Sequence, residues 1–396
     1  MLAANRTTRE LLDTPSGPSI QKTAELQATR SIRRFVERMN GECGAAGLRV
    51  ELDGPIIRCV VADTRRWQEH VAHHEARSSE LDPLCKAKTA WLTTQARDGV
   101  VWWYDLPSLQ GRYGEMMRKV TAIAIAHGPR LAGVPVVVGG DWEFNAWACP
   151  GGTAGDFIMV NLGFIQSYSY AAMFLEMLDE VRQAAERGQA HGLIASSMIW
   201  MAATALGYEP FQWDNLALPP SEYDRIWSNI QHPSERLEHA ITLIDAFAML
   251  HECGHIASGH TDVLRQWPPV DDLDAPGRED RMNRSRQFEY EADAFACQSL
   301  RALGGDGRQL VEPLLILFSM LRLCEDNRTS RSHLTMSHPM ATERLRACLV
   351  ALGQDGDAGC RLLDRLGELI VTASRRRLEW QASPQCAEPR RSQAGR

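Results

Sequence analysis

Apolar residues recur three and four apart along Leu237-Glu-His-Ala-Ile-Thr-Leu-Ile-Asp-Ala-Phe-Ala-Met-Leu250, at Leu237, Ile241, Ile244 and Ala248. That period predicts a helix running on into His251-Glu-Cys-Gly-His255. A second helix is predicted over Ser285–Leu300, with Phe288, Ala292, Phe295 and Ala296 on its packed face, Ser285 as its cap and Gly304-Gly305 at its end. Further helical spacing covers Ser31–Met39, Gly111–Ala126, Tyr170–Arg187, His191–Leu206, Val311–Leu323 and Pro339–Leu352. Strands are predicted at Leu48–Leu52 and Ile56–Val61 around the turn Asp53-Gly54-Pro55, and at Val134–Val138. The turn Pro150-Gly151-Gly152 feeds another apolar strand, Phe157–Asn161.

The mixture predicts an α+β protein that is mainly helical, with a small sheet and an additional N-terminal α/β region. The polar start, with Pro15 and Pro18, reads as a flexible arm over 1–30, followed by the α/β region over 31–140. The main domain is expected over 141–380, with a long insert at 166–232. The stretch 261–284, rich in Pro, Asp and Arg, reads as a lid loop between two helices. Residues 381–396 read as a disordered tail.

An apolar content of 44% and a net charge of −7 describe an ordinary soluble chain and give no reason to expect a nucleic-acid partner. Eleven tryptophans, several of them between Trp91 and Trp147, fit core or interface positions. The ten cysteines are scattered with no C-x-x-C pair, and the N-terminus has no apolar targeting segment. No apolar run reaches membrane-spanning length; Val120–Ala126 and Leu314–Leu321 are both too short. These features predict a cytoplasmic location with free thiols.

The chemistry concentrates in His251-Glu252-Cys253-Gly254-His255. Histidines four apart lie on one helix face and can hold one metal ion, and Glu252 can reach a water on that ion. An open hydrolytic zinc site needs one more protein ligand. Glu289 and Asp293, four apart on the later helix, offer two carboxylates: one as third ligand, the other to orient a ligating imidazole. Glu69-His-Val-Ala-His-His-Glu75 is a rival metal pattern, with His70 and His74 four apart, but it reads as a solvated helix face. The strand after Asn145 reads either as a plain hairpin or as a sheet edge beside the cleft. In the second reading Asn145, Gly151, Gly152, Ile158, Met159 and Val160 hold an extended peptide through free backbone groups.

Four pieces stand in order: Asn145-Ala-Trp-Ala-Cys-Pro-Gly-Gly152, His251-Glu-Cys-Gly-His-Ile-Ala-Ser-Gly-His260, Ser285-Arg-Gln-Phe-Glu-Tyr-Glu-Ala-Asp293 and Ser337-His-Pro-Met-Ala-Thr-Glu-Arg344. Together they resemble the metallopeptidase family of the HtpX heat-shock protease and the CAAX prenyl endopeptidases. The resemblance spans 145–344, and residues 1–140 lie outside it. It implies a zincin-like domain with one catalytic Zn2+ held by His251, His255 and Glu289. Glu252 would be the general base acting on a zinc-bound water, and Asp293 would orient a ligand. His338 and Arg344 would sit near the site, in transition-state or gating roles, and His260 corresponds to a trailing histidine. The implied function is a zinc endopeptidase with a cytosolic protein or peptide substrate. The string Glu289-Tyr-Glu-Ala-Asp-Ala-Phe-Ala296 also resembles ImmA/IrrE-type regulatory peptidases. The alternatives are therefore a signal-dependent or phage-defence protease with one target, or a latent zinc-bound interaction protein.

Overall fold

The computed structural model describes residues 18–81, 99–126, 129–140, 144–165, 175, 234–268, 272–302, 307–327 and 338–365. The chain opens with helix α1 (Pro18–Cys43), which starts inside the stretch expected to be a loose arm and buries Ala24, Phe35 and Met39. Strands β1 (Leu48–Asp53) and β2 (Ile56–Val61) form an antiparallel hairpin, turned at Gly54, whose φ of 57° suits a residue without Cβ. Helix α2 (Thr64–Leu81) follows, then β3 (Val100–Asp105), which completes an antiparallel sheet in the order β1-β2-β3. Helix α3 (Leu106–Ala124) then leads into a second sheet of β4 (Val136–Gly139), β5 (Ala146–Cys149) and β6 (Phe157–Asn161).

The order of that second sheet is β4-β6-β5, with β4 parallel and β5 antiparallel to β6. Phe157–Asn161 is therefore the central strand: it pairs antiparallel with β5, in line with the hairpin reading, and the reading that makes it the edge is corrected. The physical reason is burial on both faces: all five residues of β6 are buried, as a continuous apolar run predicts for a covered strand. The edge beside the cleft is β5.

A short turn of helix, α4 (Leu162–Ile165), leaves the sheet. The expected helices at 170–187 and 191–206 and the insert at 166–232 lie outside the described residues except for Leu175, and so does the tail beyond 365. Helix α5 (Glu235–Ala257) starts where the Ser234 side chain accepts a hydrogen bond from the Leu237 N–H. Apolar residues point in nearly every direction from it, and Leu237, Ile241, Ile244, Phe247, Met249, Leu250, Cys253 and Ile256 are all buried. A helix so apolar on all sides belongs in a core, and α5 packs against α3, β5 and the later helices.

Helix α6 (His260–Gln266) follows at once, across Gly259 with φ 74°. Helix α7 spans Ala275–Ala302, so it begins ten residues before the expected start at Ser285. Asp274 provides the cap by accepting from the Gly277 N–H at 2.9 Å, and Pro276 suits the first turn. The charged run after Gly277 is thus helix, and the irregular part of the expected lid shrinks to 267–274, of which 269–271 are outside the described residues. Helices α8 (Gly307–Asn327) and α9 (Ala341–Ala351) close the fold, α9 packing on both α7 and α8.

Helices α5 and α7 make the most extensive helix–helix contact in the fold. At Gly254 a Cβ would lie 2.9 Å from Ala292 Cα and 3.2 Å from the Ala292 carbonyl. The absent side chain at Gly254 lets the backbones approach and sets Glu289 opposite the two histidines. Among the described residues no helix is long and apolar enough to cross a membrane.

Candidate active site

His251, Glu252 and His255 come from the buried last turns of α5, and Glu289 and Asp293 from the facing side of α7. His251 Nε2 lies 3.1 Å from His255 Nε2 and 3.4 Å from Glu289 Oε2, and His255 Nε2 lies 3.6 Å from Glu289 Oε1. Three ligands each about 2.0–2.1 Å from a common point, at tetrahedral angles, are separated by about 3.3 Å. The three side chains fit a small divalent ion in both donor type and spacing, and they are the group that could hold one among the described residues.

The surroundings fix these groups. His251 Nδ1 lies 2.9 Å from Asp293 Oδ1. Arg344, from α9, donates to Asp293 Oδ2 from Nε at 2.8 Å and to Oδ1 from Nη2 at 2.7 Å, while its Nη1 is 3.1 Å from Glu289 Oε2. His338 Nδ1 stands 3.1 Å from Glu289 Oε1, and this side chain is 44% exposed, the most open of the set. Burial would raise Glu289, but the charges of His338 and Arg344 and the bond with His251 hold it well below the usual carboxylate range. Burial would likewise raise Asp293, and Arg344 lowers it. Glu252 has no such cation at contact distance; burial pushes it up to about 7 against the opposing influence of His251. The histidines diverge. Burial would lower His251, but its bonds with Asp293 and Glu289 prevail and lift it to about 10. Burial drives His255 down to about 3.

Strand β5 forms the wall beside Glu252, whose Oε2 accepts from the Ala148 N–H at 2.6 Å. The Asn161 N–H donates to the Asn145 carbonyl at 3.1 Å, so positions 145, 147 and 149 turn their backbone groups toward β6. Ala146 and Ala148 turn theirs to the open edge. That edge faces a cleft of about 330 Å³ whose walls include Phe144, Trp147, Phe247, Leu317, His338 and Arg344, with His251, Glu252, His255 and Glu289 at its floor.

Most of the expected site residues meet here: His251, Glu252, His255, Glu289, Asp293, His338 and Arg344, with Asn145 on the cleft wall. Gly151, Gly152, Ile158, Met159 and Val160 do not line the cleft. The three apolar residues belong to the central strand, and Gly151 packs so tightly that a Cβ would meet the Gly155 carbonyl at 1.7 Å. The backbone edge open to the cleft is therefore at 146–148 and not at 158–160. Arg344 is 11% exposed and engaged with two carboxylates. The rival histidine pair sits on α2, where His70 stacks on Trp67; the side chain of His74 lies outside the described residues. Ala148 and Glu291, unmarked in the sequence, both touch the site residues, the latter through His260.

Two histidines and a carboxylate converging at the floor of a cleft, with a second carboxylate beside them and a sheet edge above, make a centre of hydrolytic type. The chain belongs to the Peptidase U49 family, whose sequence model matches residues 164–361, half of its length. The match makes it a peptidase and takes in the helices that carry both histidines, both α7 carboxylates and Arg344. It does not extend to the HtpX and CAAX group or to the ImmA/IrrE group that the motifs resemble. No curated protein and no solved structure matches the chain.

Proposed function

We propose that the protein is a zinc-dependent endopeptidase acting on a cytosolic protein or peptide. The carrying observation is the spacing of His251 Nε2, His255 Nε2 and Glu289, 3.1 to 3.6 Å apart, with Glu252 beside them at the floor of an open cleft. A bound zinc ion would polarise the scissile carbonyl and make a nearby water easier to deprotonate.

The chain's own groups supply the rest. Substrate backbone pairs with the open edge of β5 through Ala146 and the Ala148 carbonyl, as an added strand. The Ala148 N–H holds one oxygen of Glu252, so the other takes the proton from the attacking water. Glu252 then delivers that proton to the leaving amine nitrogen, and the peptide C–N bond breaks. His338, the most open cation-capable group at the site, stabilises the negative charge that develops on the carbonyl oxygen. Arg344 fixes Asp293 and Glu289, and Asp293 fixes the His251 ring.

Zinc content and cleavage of a peptide library test this together. Glu252→Gln should keep one zinc per chain and lose cleavage by about a hundredfold or more, and His255→Ala should lose both. Unimpaired cleavage by Glu252→Gln would overturn the mechanism.

A further inference from the structure

The histidine that trails the motif has no part in the mechanism so far. It is nonetheless buried, with its ring stacked on Phe288 at a centroid distance of 4.1 Å and an interplanar angle of 14°. Its Nδ1 lies 3.1 Å from His255 Nδ1, and its Nε2 lies 2.8 Å from Glu291 Oε2. The other Glu291 oxygen accepts from Gln287 Nε2 at 3.0 Å.

These contacts allow one consistent arrangement of protons for neutral rings. His255 turns Nε2 toward His251 and Glu289, so a metal there needs the Nε2 lone pair. A neutral imidazole then carries its hydrogen on Nδ1. His260 Nδ1 must accept that hydrogen, which places the hydrogen of His260 on Nε2. That N–H meets an acceptor, the Glu291 carboxylate. His251 has the corresponding support from Asp293 directly.

We propose that His260 and Glu291 are positioning residues: a His255–His260–Glu291 relay that fixes the tautomer and ring orientation of His255 for metal binding. Each candidate ligand histidine then has a carboxylate behind it, one in direct contact and one through a second imidazole. The turn makes this reach possible. Gly259, at φ 74°, starts a new helix immediately after α5 and folds His260 back over His255. The assignment rests on the metal reading of the site for its purpose, but the Glu291 carboxylate by itself calls for the hydrogen of His260 on Nε2, and so for that of His255 on Nδ1.

Two measurements on the full chain test it. The first is zinc affinity, by competition with a chromophoric chelator. His260→Ala should weaken zinc roughly 10- to 100-fold, and Glu291→Ala about tenfold. Glu291→Gln keeps an acceptor oxygen and should stay within about threefold of wild type. Glu291→Lys places a donor where an acceptor is needed and should lose more than Glu291→Ala. Glu291 is 44% exposed, so these changes leave the core intact, which unfolding curves of the metal-free proteins can check. The second measurement is long-range 15N–1H NMR of the metal-free wild type. It should show His255 protonated at Nδ1 and His260 at Nε2. Wild-type zinc affinity in both Glu291→Ala and Glu291→Lys, or a His260 hydrogen on Nδ1, overturns the relay. A wild type that binds no zinc overturns the metal reading instead, and the NMR result still decides the proton positions.

Discussion

Arg344 carries more of the site than any other single residue outside the motif. Its guanidinium spans Asp293 and Glu289 in a largely buried setting, and both carboxylates hold its charge in place. Replacing it leaves two buried carboxylates short of a cation. Arg344→Ala should therefore cost about 3–5 kcal/mol of stability in the metal-free protein, read as a lower denaturation midpoint. Arg344→Lys keeps the charge but loses the fork that meets both Asp293 oxygens, so it should fall in between. At this scale the sequence was highly legible, because helical spacing alone puts His251 and His255 on one face and Glu289 and Asp293 on another. What it could not reveal were partners that depend on tertiary approach. Ala148 is an ordinary strand residue until its N–H meets Glu252, and Glu291 looks like a solvated glutamate until α6 brings His260 over it.

The crossing of α5 and α7 sets the distances between the two histidines and the α7 carboxylates. At Gly254 the two backbones leave no room for a side chain, so its substitution should push the helices apart. Gly254→Val should cost about 1–3 kcal/mol through overpacking, seen in chemical denaturation. It should also weaken zinc binding, because Glu289 sits one turn from Ala292. The sequence motif leaves position 254 open, yet packing constrains it as tightly as chemistry constrains its neighbours. The element boundaries show where reading from sequence stops. The charged run at 278–286 is polar enough to pass for a loop, but it belongs to the solvated first turns of α7, capped by Asp274. The apolar run marks strand β6, but its place between β4 and β5 depends on a parallel pairing with β4 that the run does not encode.

Among the described residues, the early segments join α5 through a core cluster that runs from α1 and the first sheet to α9. An ion pair crosses that junction, buried only on its carboxylate side: Arg112 Nη2 on α3, itself exposed, lies 3.1 Å from the buried Asp245 Oδ2 on α5. Burial pushes Asp245 up to about 6, against the lowering influence of Arg112. The folded protein thus holds this proton more tightly than the unfolded chain does. The contribution is stabilising below the unfolded carboxylate pKa, near 4, and is lost as pH rises through about 6. Between pH 4 and 7 the loss is on the order of 2–3 kcal/mol. Asp245→Asn should remove this slope, so that its denaturation midpoint gains on wild type as pH rises over that window. An unchanged slope would show that Asp245 is ionised throughout.

The proposed peptidase chemistry depends on a single ion occupying the space between two α5 imidazoles and one α7 carboxylate. Anomalous scattering collected on either side of the zinc absorption edge, from crystals of the zinc-loaded wild type, tests that most directly. The account predicts one strong peak per chain, about 2.0–2.2 Å from His251 Nε2, His255 Nε2 and a Glu289 oxygen, with Glu252 outside bonding distance. A peak elsewhere, or none at full zinc occupancy in solution, would contradict it.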